Sequence, residues 1–221
     1  MAVSMLPRRL RVNTPGEKAQ KLAGVLLLDS EIEFYRKLTS HWDDPSSIVV
    51  EGAEPTTLIT DSNAWPKTDC FEHWMMAMDT QTYLPDDILV KVDRAAMANS
   101  LETRAPYLDH RVMALAWRMP LEYKVRGKQG KWLLRQVLRR YVPEELVSRP
   151  KAGFAVPLHD WLRGPLRDWA EDLLQETRLH QGGYLNATPI RNMWDEHLSG
   201  KRNWQYQLWT VLMLQAWLAS N

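Results

Sequence analysis

Two polar stretches of the chain hold the residues whose types and spacing could carry chemistry. In the first, a helical pattern that includes Asp93 and Arg94 gives way to Glu102 and Arg104, which stand two residues apart. Alternate side chains of an extended segment point to the same side, so Glu102 can hold the guanidinium of Arg104 in place. A guanidinium held in this way can bind a carboxylate or a phosphate. A purely structural ion pair that fixes the loop is the alternative, and the residue pattern alone favours it.

The second stretch surrounds Lys151. Pro150 restricts the backbone before it, and Gly153 permits backbone angles that other residues rarely adopt. A lysine held on such a loop can meet a phosphate group as a compact positive charge. An ordinary exposed lysine in a turn is the alternative, and the residue types alone favour it.

Helices are expected to position these stretches. The first predicted helix has Asp69 as its N-cap. Its apolar residues recur at the spacing of one helical face and are Phe71, Trp74, Met75 and Met78. Pro85 is predicted to open a second helix, Asp109 to cap a third, and Gly130 to precede a fourth.

The C-terminal part continues the helical pattern. Gly200 is a predicted helix end, and residues 208–218 are apolar on nearly every side, which predicts burial. No run of residues from Asp69 onward is typical of a parallel sheet, so the fold class is predicted to be mainly α. Residues 1–68 fit the pattern poorly, and 41–66 are rich in Pro, Ser, Thr, Asp and Glu, as in a loop or insert. The predicted division is therefore 1–68 and 69–221.

Composition excludes several classes of function. The formal net charge of +1 gives no electrostatic basis for binding nucleic acid or an anionic membrane. One cysteine, Cys70, excludes an internal disulfide framework and a cysteine-rich metal site. The scattered histidines are interpreted as surface or capping residues, and no metal site is predicted; they include His110, His159, His180 and His197. No apolar run approaches the roughly 20 residues of a membrane span, and no signal peptide is visible, so a cytoplasmic location is expected.

Five segments closely resemble the bacterial glutamine-dependent asparagine synthetases. They are residues 83–94, 97–110, 149–154, 161–166 and 194–200. The resemblance runs in order from about Asp79 to the C-terminus, which makes it specific. It implies an enzyme with an N-terminal glutaminase domain and a C-terminal synthetase domain that is similar to ATP pyrophosphatases, the adenine nucleotide α hydrolase-like proteins. That enzyme uses ATP and Mg²⁺ to activate aspartate as an adenylate, and ammonia from glutamine then displaces AMP.

The resemblance also assigns residues. Lys151 matches the family's active-site lysine, which faces the adenylate and the pyrophosphate. Asp93, Arg94, Glu102 and Arg104 match motif positions at the edge of the same site. A positioned cation at Lys151 is physically sensible, because negative charge builds up as pyrophosphate leaves.

The chain departs from the family pattern in three places. Ala2 follows Met1 where the glutaminase nucleophile would be a cysteine, and the sequence holds neither a Ser-Gly-Gly-x-Asp-Ser phosphate loop nor a Gly-Asp-Gly-x-Asp-Glu stretch. We therefore expect the helical C-terminal portion of a synthetase domain without its parallel-sheet half, inactive alone. Its partners would be the α/β half and the glutaminase domain, on the same or a separate chain, with homo-oligomerisation also possible. ATP and Mg²⁺ are expected for the complete enzyme rather than for this chain alone.

Two other functions stay open at this point. A related amidotransferase that acts on a different carboxylate, such as a carboxylated sugar in polysaccharide biosynthesis, would show the same loop motifs. A helical interaction module without catalysis would explain the missing phosphate loop. The presence of Lys151 and Arg104 argues against this second alternative.

Overall fold

The computed structural model describes residues 24, 28–148 and 156–220, and this part of the chain is mainly helical, as predicted. In chain order the α-helices are α1 (Glu31–Thr39), α2 (Phe71–Gln81), α3 (Val90–Met97), α4 (His110–Arg118), α5 (Leu121–Lys124), α6 (Trp132–Leu138), α7 (Glu144–Val147), α8 (Leu158–Arg163), α9 (Arg167–Leu173), α10 (Glu176–Gly182), α11 (Ala187–Ser199) and α12 (Gln205–Ser220). A π-helix over Leu84–Leu89 leads into α3, and short 3₁₀ turns cover Pro45–Ser47, Ser62–Ala64 and Pro106–Leu108. None of the described helices is long and apolar enough to cross a membrane.

The described residues contain one small sheet. Strands β1 (Val125–Arg126) and β2 (Gln129–Gly130) form an antiparallel hairpin, in which Val125 pairs with Gly130 and Arg126 with Gln129. Gly127 turns the chain between them with a positive φ of 58°, which glycine adopts without steric cost. No parallel strands occur in the described ranges, in agreement with the mainly α prediction.

Most predicted helix ends are present, with one exception. The Asp109 carboxylate accepts the backbone N–H of Arg111 at 2.8 Å and so caps α4, and Gly200 ends α11 with a φ of 78°. The prediction that Asp69 caps α2 is wrong, because Cys70 occupies the N-cap position. The Asp69 carboxylate instead lies 2.7 Å from Nδ1 of His73, one helical turn further on. An imidazole donor at that spacing competes with the backbone for the carboxylate.

The chain divides into two compact units. The first unit comprises residues 1–56 and 155–221, and the second comprises residues 57–154. The predicted boundary between residues 68 and 69 was drawn from sequence patterns and does not coincide with this division.

The first unit has a continuous apolar core. Its buried residues are Ile48, Leu162, Ala170, Leu173, Leu174, Leu179, Leu185, Ala187, Ile190, Trp194, Leu208, Val211 and Leu212. An antiparallel bridge between Val49 and Leu185 joins the segment after α1 to the segment before α11. The Glu171 carboxylate accepts hydrogen bonds from Arg191 and from the buried indole of Trp194, so the largest core side chain has its polar atom satisfied.

The last helix is only half buried, which corrects the sequence prediction for residues 208–218. Leu208, Val211 and Leu212 are buried where α12 packs on α8, α9 and α11. Met213 and Leu214 lie on the other side and are exposed, and Trp217 is 60% exposed. A helix that is apolar on all sides is buried only on the faces against which other elements pack.

The second unit has few buried side chains. Among its described residues only Trp74, Ala77 and Met78 are buried, and all three lie on α2. Helix α4 is strongly amphipathic, yet none of its residues is buried. The second unit therefore exposes a much larger share of its apolar side chains than the first unit does.

Candidate functional site

A sharp turn after α3 positions the first candidate residues. The N–H of Ser100 bonds to the carbonyl of Met97, and the N–H of Leu101 bonds to the carbonyl of Ala96, both at close to 3 Å. These two bonds form a Schellman motif with Ser100 in the left-handed region at φ 57°. A serine there costs about 1 kcal/mol or more relative to glycine. The turn ends the helix and sends the chain out in extended form towards Pro106.

Glu102 and Arg104 form an ion pair on this extended segment. The spacing predicted this contact, because side chains two residues apart point to the same side. The Glu102 side chain is 68% exposed and that of Arg104 is 87% exposed. The guanidinium is therefore held by a carboxylate while most of its surface remains accessible to a ligand.

Asp93 lies in the first turn of α3 and Arg94 in its last turn, and both are exposed. Within residues 28–148 and 156–220, their side chains make no hydrogen bond or ion pair. The structure thus brings Glu102 and Arg104 together but does not join Asp93 or Arg94 to that pair. Lys151 lies outside the described residues, so its predicted role stays a prediction.

Charged residues on either side of the Glu102–Arg104 segment form ion pairs with their near neighbours in the sequence. Asp87 and Lys91 form an ion pair one helical turn apart, and the hydrogen bond to Asp87 raises the pKa of Lys91. Arg111 donates twice to Asp109, and this contact holds the pKa of Asp109 below its usual value. Both acids are therefore engaged by their own neighbours.

A second group of residues with potentially metal-binding side chains lies at the start of α2, and the sequence analysis did not predict it. The potential metal-ligand atoms of Asp69, Cys70 and His73 all lie within 4.8 Å of one another. Nδ1 of His73 contacts Asp69, and Nε2 lies 3.1 Å from Nζ of Lys124. The hydrogen bond from His73 lowers the pKa of Asp69. The sequence signal was an acid followed by Cys-x-x-His at a helix start.

An open cleft of about 490 Å³ borders this group. Its lining residues are Lys67, Thr68, Asp69, His73, Trp117, Arg118, Met119 and Pro120. The cleft combines the aromatic side chain of Trp117 with two basic side chains, those of Lys67 and Arg118. It therefore suits a small ligand with negative charge.

The described residues do not fit the magnesium ion that the resemblance implies. Magnesium takes oxygen ligands in octahedral geometry, with carboxylates and phosphates preferred. In the described ranges, the one grouping of three acid, cysteine or histidine ligands is Asp69, Cys70 and His73, which includes a thiol and an imidazole.

His197, interpreted from the sequence as a surface or capping residue, is fully buried in the first unit. Its Nδ1 accepts the N–H of Trp204 at 3.2 Å just before α12, and its ring stacks on Trp194. Burial, followed by the nearby charge of Arg163, lowers the pKa of His197 to about 4. The ring is thus neutral at physiological pH and serves packing and capping, so the capping interpretation holds for this residue and the surface interpretation is wrong.

Comparison with known proteins gives the family. The chain matches the asparagine synthase family over residues 3–219, and it belongs to that family. The match includes most of residues 1–68, for which the quoted motifs carried no resemblance.

Individual relatives agree with this assignment. The chain is 34% identical over 147 residues to asparagine synthetase [glutamine-hydrolyzing] 1 of Bacillus subtilis, covering 66% of this chain and 23% of that protein. It is 41% identical over 147 residues to a putative asparagine synthetase [glutamine-hydrolyzing] of Mycobacterium tuberculosis, covering 66% of this chain and 22% of that protein. The chain thus spans less than a quarter of the length of these relatives. No solved structure matches it.

Proposed function

We propose that this chain supplies the helical part of a glutamine-dependent asparagine synthetase. In that enzyme ATP converts the side-chain carboxylate of aspartate into an adenylate, and ammonia from glutamine displaces AMP. Family membership and the names of the relatives support the reaction class. ATP, Mg²⁺, aspartate and glutamine belong to the proposal as the substrates and cofactor of the whole enzyme.

The observation that carries the proposal is the exposed ion pair of Glu102 and Arg104. An ion pair this accessible typically contributes between zero and about 1 kcal/mol to stability, so the fold depends little on it. The guanidinium is oriented by its partner and open on its other sides. That is the arrangement that binds a carboxylate or phosphate oxygen with little loss of side-chain entropy.

Lys151 is proposed to act later in the reaction. Its position matches the family's active-site lysine, and a compact ammonium there would meet the charge that grows as pyrophosphate leaves. A contact that strengthens in the transition state raises turnover more than it raises binding. Arg104 would hold substrate, and Lys151 would stabilise the departing group.

A segment exchange tests the function. The matched 147 residues of the Bacillus subtilis relative are replaced by those of this chain, and asparagine formation from aspartate, ATP and glutamine is measured. We expect the chimera to make asparagine. Its glutamine hydrolysis without aspartate serves as the folding control. A chimera that hydrolyses glutamine but neither forms asparagine nor releases aspartate-dependent pyrophosphate would contradict the proposal.

The isolated chain provides a complementary test. We expect no aspartate-dependent AMP release from the 221-residue chain with aspartate, ATP and ammonia, because its sequence holds no phosphate loop to offer backbone N–H groups to the triphosphate. Measurable AMP release would show that the triphosphate is bound by another part of the chain.

A further inference from the structure

Three different metal-binding side chains meet in one turn at the start of α2. Cys70 is the N-cap, Asp69 precedes it, and His73 lies in the first turn of the helix. Residues three apart on a helix share a face, so the backbone itself brings the thiol and the imidazole together. The His73 side chain is only 13% exposed, so its ring is held by packing and does not sweep through solvent.

We propose that Asp69, Cys70 and His73 bind a zinc-like divalent ion, with a fourth position open to the neighbouring cleft. Thiolate, imidazole and carboxylate are the ligands zinc uses, and three protein ligands with one open position is the arrangement of reactive zinc sites. A thiol and an imidazole select against magnesium and calcium. The site is separate from the residues that support the proposed function.

The geometry requires only small side-chain movements. Tetrahedral zinc with ligand distances of 2.0–2.3 Å separates its ligand atoms by roughly 3.4–3.6 Å. The Asp69 oxygen and Nδ1 of His73 are 2.7 Å apart, so these two atoms must move apart to bind the ion. Ligand atoms that are further apart than the tetrahedral spacing, up to 4.8 Å, must move closer together. The Asp69 side chain is 78% exposed, so its carboxylate can rotate without displacing packed groups.

Binding changes the protonation of two ligands. Cys70 binds as the thiolate, so its thiol proton goes to solvent. Nδ1 of His73 gives its lone pair to the ion, so the ring proton must lie on Nε2. Nε2 then cannot accept a hydrogen bond from Lys124, whose Nζ lies 3.1 Å away.

Lys124 therefore competes with the ion. Its ammonium both occupies Nε2 of His73 and repels a nearby cation. The same Nζ lies 5.2 Å from the centre of the Trp117 ring, where a cation–π contact can hold it after His73 is released. Removing this ammonium should therefore strengthen metal binding.

The cleft gives the site its fourth position. Asp69 and His73 both line it, so water or a small anion has a route to the open side of the ion. Lys67 and Arg118 on the wall favour an anion over a neutral ligand.

The test measures zinc binding to the purified chain under reducing conditions, with Co²⁺ as a spectroscopic probe. We expect one ion per chain, proton release on binding, and a thiolate-to-cobalt charge-transfer band. Cys70→Ser and His73→Gln should each weaken zinc at least about 10-fold, since even residues that merely support metal ligands are worth 10–100-fold. Lys124→Met should tighten it.

His180→Gln is the matched control. His180 pairs with Glu176 one turn away on α10, as His73 does with Asp69, but no cysteine accompanies it. Zinc affinity should be unchanged in this variant. Absence of the cobalt–thiolate band, or equal zinc affinity in the wild type and His73→Gln, would overturn the proposal. Helical circular dichroism equal to that of the wild type confirms that each variant folds.

Discussion

The two units of the chain use their apolar residues differently. In the first unit, apolar residues of α8, α9, α10, α11 and α12 form one cluster that includes Trp194, and these core residues are nearly or fully inaccessible. In the second unit the described core is limited to three residues of α2, while amphipathic helices such as α4 expose their apolar faces. Every candidate site residue that the structure describes lies in the second unit. Buried apolar packing is thus concentrated in one unit, and the candidate site residues lie in the other.

Two leucines give the sharpest test of this difference. Leu212 in α12 is 0% exposed, whereas Leu115 in α4 is 60% exposed. We expect Leu212→Ala to lower the free energy of unfolding by about 2–5 kcal/mol, because it leaves a cavity in a packed core. Leu115→Ala should change it by about 0.5 kcal/mol or less. Denaturant unfolding measures both, and equal losses would abolish the distinction between the units.

The buried histidine makes the first unit sensitive to acid. The pKa of His197 is about 4 in the folded chain and 6.5 in the unfolded one, so the unfolded state binds more protons between these values. Its contribution is fully present above about pH 6.5 and is lost as the pH falls towards 4. The loss is on the order of 3 kcal/mol.

His197→Asn separates this effect from the other titrating groups. The amide oxygen can still accept the N–H of Trp204 but does not titrate. We expect its free energy of unfolding to depend less on pH between 4 and 6.5 than that of the wild type. Parallel pH profiles for the variant and the wild type would show that the pKa of His197 is the same in the folded chain as in the unfolded one.

The ion pair of the second unit should have the smallest effect on stability. Glu102→Gln removes the charge but keeps the shape of the side chain, and at this exposure the loss should not exceed about 1 kcal/mol. The melting temperature of the variant measures it. A loss of several kcal/mol would support the structural interpretation of the pair over the functional one.

Local patterns predicted the local features of this chain. Asp109 caps α4, Gly200 ends α11, and Glu102 pairs with Arg104, because each depends on residues within a few positions. The helical class followed from the periodicity of the apolar residues.

Features that depend on distant neighbours were not predictable in the same way. The ring of His197 packs against the ring of His159, and its carbonyl accepts a hydrogen bond from Arg163, 34 positions earlier in the chain. Residues 208–218 are half exposed because α12 has packed neighbours on one side. The grouping at α2 shows an intermediate case. The Cys-x-x-His spacing is local, but the contact of His73 with Lys124 spans 51 positions of the chain.

The central claim is that Arg104 and Lys151 serve the reaction and not the fold. Arg104→Ala and Lys151→Ala in the segment-exchanged enzyme test it directly, with turnover, the KM for aspartate and the melting temperature measured together. Lys128→Ala, in the exposed β1–β2 turn, is the control.

We expect Lys151→Ala to reduce turnover on the order of 100-fold or more with little change in the KM for aspartate. Arg104→Ala should raise that KM, and no variant should lose much thermal stability. Near-normal turnover and KM in stably folded Lys151→Ala and Arg104→Ala variants would contradict the account.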